Sequence, residues 1–435
     1  MVGTGAFAAG QLDSSFNPQL AEGRAYGIAM TPGGNITVIG LYTFTGAIFQ
    51  QCTPTGDVDT NFTSDYTGVV YAVAVQPDGK VVFGAQHIDG SPDEPLVARL
   101  NANGTRDTNF TVPQEFLRQI GHTYAIAVQT DGKVLVAGLF NNTALWRFEA
   151  DGRQDTNFAP VVTDSTASSF RFGKAIAIQP DGKIVMVGTF RTVNGVARKG
   201  IVRFDSDGSV DPTFAPGAGI VFSGSGAAAA NALAIQPDGK IVVGGWFNTV
   251  NGLGRTNVAR FNADGTVDAT FDLPLLLNGA VQAIALQVDG KIILGGEFTS
   301  VGDVPRAHVV RLHSDGGLDM SFDAQVDGPI TAMCLLSDGA LFVGGTFSRA
   351  NNEPRAAIAK LLTHELLSVA AANYTPGSMS IEITTQPTRR YALEVSIDLT
   401  AWQATATNTA AGYSLEFSEA HSAAQQEFFR ARLVE

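Results

Sequence analysis

Four arginines stand at matched places in the chain. The segments VNGVAR, VNGLGR, VGDVPR and ANNEPR end on Arg198, Arg255, Arg306 and Arg355, each a short step beyond a Gly-x-Phe triplet. A guanidinium presents its N–H donors as a planar fork that suits a carboxylate or a sulfate. An arc of four could therefore hold a carboxylate ligand, a sulfated glycan or an acidic loop of a partner protein. Arginine stems also cover apolar surface, so packing between neighbouring elements is the plainer use of the same residues.

The acidic residues point less clearly to a site. DSDGSVD sets Asp205, Asp207 and Asp211 at the spacing of a calcium loop. No bidentate glutamate follows at the twelfth position, and sister turns carry Asn101 and Asn103, Glu149 and Asp151, or His313 and Asp315. A hairpin turn is the better reading, calcium is a weak alternative, and no cofactor is expected. The six histidines, His87, His122, His308, His313, His364 and His421, lack metal-ligand spacing. No nucleophile elbow, phosphate-binding loop, zinc motif or Cys–His pair appears, so no enzyme is expected. Scattered acids such as Glu297 and Asp303 could meet in a central channel, but the sequence does not bring them together.

These residues must be positioned by something, and the chain is mostly repeats of one thing. QPDGKIVVGGWF, residues 236–247, places Pro237, Asp238 and Gly239 between two apolar runs, the pattern of a β-hairpin. Asp78 with Gly79 and Asp181 with Gly182 mark the same turn, and the seven turn glycines fall 45 to 57 residues apart. That period belongs to solenoids and propellers. After each second strand comes a small residue and, two positions on, a large ring: Tyr42, His87, Phe140, Phe190, Phe247, Phe298 or Phe347. A ring recurring at one place reads as a plug between neighbouring sheets, with the small residue giving adjacent backbone room.

A third strand follows, such as VARFN, carrying Arg99, Arg147, Arg203, Arg260 or Arg311, and then Asp-x-x-Phe, seen as Asp211 to Phe214 and Asp268 to Phe271. The recurring aspartates read as turn residues accepting local N–H bonds, because a site needs groups that converge once and a turn needs its residue in every copy. Three or four short strands per repeat, seven repeats and no helical periodicity predict an all-β, seven-bladed β-propeller over residues 11–364. The last repeat lacks its closing turn while the chain starts with an orphan LDSSF, so Leu12 to Phe16 should complete the sheet of Ile358 to Leu361. The arginines Arg198 to Arg355 belong to the last four repeats only, so the two halves of that face differ.

The pattern LDxxF, AIAxQPDGKIVVGGxF, RFNxDG resembles the delta-60 repeat, a bacterial and phage β-propeller family of unknown function. The resemblance implies a propeller, and it implies no activity, because the shared residues are structural. It also implies a place in a phage virion, as a tail or capsid component, or in a bacterial surface assembly. From residue 365 the pattern changes: 365–435 alternates apolar and polar residues and should form a small antiparallel, β-sandwich-like domain. Its Tyr391, Glu394, Trp402 and Phe428 to Arg430 resemble a C-terminal module found behind repeats in secreted bacterial proteins.

Charge narrows the partners. A formal net charge of −13 repels phosphate backbones and anionic head groups, so nucleic acid is not expected, and no apolar run is long enough for membrane insertion. Two cysteines, Cys52 and Cys334, make no disulfide framework. The first residues form no intact signal peptide, and an extracellular, cell-surface or virion location is expected. Together these features suggest a non-enzymatic structural or binding protein whose loops contact other proteins of an assembly or surface glycans. The alternative is a polysaccharide-active hydrolase or lyase, or a lectin, with its site at the channel mouth.

Overall fold

The computed structural model describes residues 9–18, 23–42, 46–66, 68–87, 95–117, 121–140, 143–158, 160–163, 172–222, 228–272, 276–336, 339–363, 369–375, 378–384, 390–396, 403–409, 414–420 and 428–434. The fold is an all-β propeller, and one helical turn, Gln114–Leu117, is the helix among the described residues. Two compact units are present. The larger comprises residues 12–320 and 324–361, and the smaller takes the described residues among 1–11, 321–323 and 362–435.

In the larger unit each of the seven expected glycine turns, three of them Pro-Asp-Gly, joins two antiparallel strands. The first strands of these hairpins are Gly23–Met30, Val70–Val75, Gly121–Val128, Phe172–Ile178, Ala229–Ile235, Val281–Leu286 and Ile330–Leu335. Each packs on the next, and the last packs on the first, so these inner strands close a cycle around an axis. The turns form for the reason their sequence gives. Gly79, Gly182 and Gly239 have φ of 82, 84 and 82°, which a residue with a Cβ adopts poorly. The aspartate before each glycine accepts from the N–H two residues on, as Lys80, Lys183 and Lys240 donate to Asp78, Asp181 and Asp238 at 3.1 Å.

The fourth strand of each repeat shrinks to a single bridge, such as Phe204 with Val210 or Phe261 with Val267. Pairing stops there because the next aspartate folds the chain into an Asx turn: Asp211 Oδ1 accepts from the Thr213 N–H at 2.8 Å. Three repeats also carry an outer two-stranded hairpin whose turn is Asn-Gly or Asn-Asn with both residues at positive φ, as at Asn194 and Gly195. The core lies in slabs between adjacent sheets. Phe247 packs with Val185 and Val187 of the repeat before it and with Phe214, Ile241 and Phe261. Phe190 does the same in the preceding slab, and Phe140, Phe298 and Phe347 are likewise buried, whereas the side chains of Tyr42 and His87 lie outside the described ones.

First and last repeats meet through Leu12 and Leu361, which pair antiparallel, and through the Asp13 N–H, which donates to the Lys360 carbonyl at 2.8 Å. In the smaller unit six strands form two three-stranded antiparallel sheets: Val369–Thr375, Ser378–Thr384 and Ser414–Ala420 in one, Gln403–Thr409, Arg390–Ser396 and Phe428–Val434 in the other. The side chains of Tyr391, Glu394, Trp402 and Phe428 to Arg430 lie outside the described ones.

Candidate binding site

The recurring charged residues come together in one repeated arrangement. Arg203 Nε donates to Asp211 Oδ2 at 2.6 Å, and Arg99, Arg147, Arg260 and Arg311 meet Asp107, Asp155, Asp268 and Asp319 in the same way at 2.8 Å. The lysine of each Asp-Gly-Lys turn joins the same carboxylate, with Lys183 at 3.0 Å from Asp211 and Lys240 at 2.9 Å from Asp268. The guanidinium then crosses to the following repeat: Arg99 Nη1 donates to the Ala150 carbonyl at 2.8 Å and Arg203 Nη1 to that of Ala263 at 2.6 Å. It also lies over the phenylalanine of its own Asp-x-x-Phe, 4.8 Å from Phe214 in that repeat. This set ties blade to blade.

Burial penalises the charge of Asp211 and Asp268, but hydrogen bonds from Thr213 and Thr270 and from the cations outweigh it and hold both carboxyls far below the usual range. The calcium candidates are thus already engaged. Asp205 pairs with Lys183, Asp211 with Lys183 and Arg203, and Asp207 caps its turn by accepting from Ser209 at 2.9 Å.

The arginine arc is engaged in part, and the Nε of Arg198, Arg255 and Arg355 is buried without a hydrogen-bond partner among the described residues. Arg198, Arg255, Arg306 and Arg355 each turn Nη1 back onto the carbonyl of the preceding residue. Arg198 Nη2 reaches the Phe214 carbonyl at 3.3 Å, Arg255 pairs with Asp272 at 3.2 Å, and Arg306 and Arg355 are buried. Burial lowers the pKa of Arg198. One N–H of each guanidinium thus braces its own hairpin.

A different cluster arises where the sequence gives no obvious motif. Every inner strand carries a β-bulge that adds one residue at the same place: Tyr26, Tyr71, Tyr124, Lys174, Asn231, Gln282 and Thr331. Close backbone approach accompanies it. A Cβ on Gly245 would meet the Ala229 carbonyl oxygen at 2.0 Å, and Gly40, Gly138, Gly188, Gly296 and Gly345 meet a carbonyl similarly. A bulge re-aims its side chain, and all seven of these side chains are part-exposed.

Four of the seven form a continuous row. Ring centroids of Tyr26 and Tyr71 are 4.7 Å apart and those of Tyr71 and Tyr124 5.9 Å apart. Arg24 lies over Tyr26 at 5.0 Å, His122 stacks on Tyr124 at 5.6 Å, and Lys174 Nζ sits 3.5 Å from the Tyr124 centroid. Burial lowers Lys174 to about 8 and raises Tyr71 to about 12. It also lowers His122, with the Lys174 charge as the second cause. Farther round, Asn231 donates to the Val281 carbonyl at 3.3 Å and Gln282 to Glu297 at 3.1 Å, while Trp246, 40% exposed, stacks on Phe222 at 5.3 Å. The bulged position thus offers aromatic faces, amides and one ammonium, and none of its seven residues is an acid. The sequence did hold a signal for this row: each member lies eight residues before its turn glycine, at a position where the repeats disagree.

Six segments, residues 76–110, 129–158, 179–214, 236–271, 287–322 and 336–363, match a family described as a domain of unknown function (DUF5122) β-propeller. No curated protein matches the chain. Among solved structures, a streptogramin B lyase is 15% identical over 80% of this chain and 95% of its own, with a TM-score of 0.51. The extracellular domain of a protein described as a one-component system of B. thetaiotaomicron is 11% identical over 100% of this chain and 58% of its own, with a TM-score of 0.49. A xyloglucanase of Xanthomonas campestris is 13% identical over 87% and 59%, at a TM-score of 0.39. At these identities the likeness is one of fold. No helix among the described residues is long and apolar enough to cross a membrane.

Proposed function

We propose that this chain, whose repeats are those of a β-propeller family of unknown function, is a seven-bladed propeller of the delta-60 kind that works as a non-enzymatic binding scaffold. It acts within a larger assembly, a phage virion or a bacterial surface structure, and contacts other proteins or surface glycans. One observation carries this reading: the repeated ionisable groups are consumed in blade-to-blade ties, while the position at which repeats differ carries rings, amides and an ammonium. Rings and amides recognise, whereas glycoside hydrolysis calls for a pair of carboxylates flanking the scissile bond.

A second reading, a polysaccharide-active hydrolase or lyase, draws on the non-equivalence of the inner row and on Glu297, an exposed acid hydrogen-bonded to Gln282. The two readings separate on the native particle. Gentle isolation followed by mass measurement and identification of co-purifying chains is expected to give a large complex with partners in fixed ratio. A free monomer that releases new chain ends from polysaccharides would sink the scaffold reading and establish the second.

A further inference from the structure

Lys174 makes half of an interaction. The lysines of the Asp-Gly-Lys turns each reach an aspartate, as Lys133 reaches Asp155 at 2.8 Å and Lys240 reaches Asp268 at 2.9 Å. Lys174 Nζ instead lies 3.5 Å from the Tyr124 centroid and 4.9 Å from that of Phe172, and among the described residues neither a carboxylate nor a hydrogen-bond acceptor is paired with it. A cation drawn partly out of water and given only aromatic faces recovers little of its hydration energy, and an anion arriving there would recover more. Arg24, exposed at the far end of the row, supplies a second cation over Tyr26. Between them run the part-exposed rings of Tyr26, Tyr71 and Tyr124, and the neighbouring bulged residues Asn231 and Thr331 are uncharged.

We propose that this row binds an acidic oligosaccharide, with sugar rings lying against the part-exposed edges of the tyrosine row and a uronate carboxylate accepting from Lys174 Nζ. The proposal rests on the reading of the propeller as a binding protein and names the ligand class. Aromatic faces joined to cations also suit single-stranded nucleic acid. Both ligands carry about one negative charge per unit, so the net charge of −13 opposes them alike, and titration with an oligothymidylate beside the uronates decides between them.

The test is calorimetric titration of the full chain with tetragalacturonate and with tetramannuronate, which separate two sources of the same chemistry, beside neutral cellotetraose and an oligothymidylate. At least one uronate should bind, weaken as salt is added, and bind about tenfold or more tighter than cellotetraose, a difference of about 1.4 kcal/mol. Lys174→Met and Tyr124→Ala should each lose about tenfold, and Lys174→Arg should keep most of the affinity. Should the variants of the part-buried Lys174 and Tyr124 misfold, Arg24→Gln, on an exposed residue, should still weaken binding and flatten its salt dependence. Equal affinity for the neutral sugar, tighter binding of the oligothymidylate, or no binding at all would each overturn the proposal, and none of these touches the assembly reading, which the native particle decides. Cleavage of the uronate with loss on Lys174→Met would keep the site and remove the non-enzymatic reading.

Discussion

Asp211 shows what a single side chain does for the blades. Its side chain is 1% exposed and is shared by Arg203 and Lys183, so removing its charge strands two cations, one of them 8% exposed. Breaking a buried pair by deleting one partner costs about 3–5 kcal/mol, and Asp211→Asn should fall toward the lower end because Lys183 retains solvent. Asp78→Asn, at an exposed turn, should cost about 1 kcal/mol or less, both variants being read by urea titration. Equal costs would mean that the tie adds nothing beyond its turn.

Acid should act through the same carboxyls. Asp107, Asp155, Asp211 and Asp268 all titrate below their ordinary range when folded: burial raises them, and hydrogen bonds and cations more than reverse that. The folded value lies below the unfolded one of about 3.9, so the unfolded chain takes up protons first. Their stabilisation is complete above that pH and is lost as pH falls through it toward the folded values. The urea midpoint should therefore hold from pH 7 to pH 5 and drop steeply below pH 4, with Asp211→Asn showing a shallower drop. The sequence made the Asx-turn role of these aspartates legible, because that bond reaches only two residues along the chain. Their meeting with Arg and Lys was not legible, since it depends on the register of three strands.

At the scale of the element, the hairpin with its plug is the unit that folds. Phe247 is fully buried in a slab built from two repeats, so Phe247→Ala should cost about 3–5 kcal/mol, whereas Trp246→Ala, one residue away, 40% exposed and stacked on Phe222, should cost about 1 kcal/mol. Comparable losses would place Trp246 in the core. Gly245→Ala should destabilise as strongly as the loss of the ring, because its Cβ would lie 2.0 Å from the Ala229 oxygen and only backbone movement relieves that. Strand and turn positions were readable because each repeats with a fixed spacing and an obvious chemistry. The bulge was not, because an extra residue in a strand leaves no composition signature, and Tyr26, Lys174 and Thr331 share nothing but their distance from a turn. Recurrence located the scaffold, and the position where recurrence failed held the candidate site. The Asn-Gly turns at residues 194–195 and 251–252 were written plainly, yet in the sequence those segments drew notice only for the arginines that follow.

For the whole molecule the question is how the cycle of sheets is held shut. Inside the chain, neighbouring sheets are joined by a covalent connection as well as by their slab of core. Between the last and the first sheet the described residues give the pairing of Leu12 with Leu361, the Asp13 N–H donating to the Lys360 carbonyl, the Thr331 hydroxyl donating to the Ala25 carbonyl, the Asp13–Lys360 ion pair at 2.9 Å and a core in which Phe16 meets Phe342 edge to face at 4.8 Å. Asp13 and Lys360 are 20% and 15% exposed, and a single lysine replaces the Arg–Lys pair of other repeats, so this tie is weaker than that of Asp211. The junction should open first. Leu12 and Leu361 are both buried and face each other across an antiparallel bridge, a placement that brings Cα atoms within disulfide reach. Cysteines at 12 and 361, in a background where Cys52 and Cys334 are serine, should cross-link on oxidation. Closing a loop of nearly the whole propeller would restrict the unfolded chain by about 6 kcal/mol, less any strain. The oxidised protein should melt higher than its reduced form, and amides of the first and last sheets should gain the most protection from hydrogen exchange. Uniform protection across all the sheets would show instead that the propeller opens as one cooperative body and that the clasp is no weaker than the covalent joints.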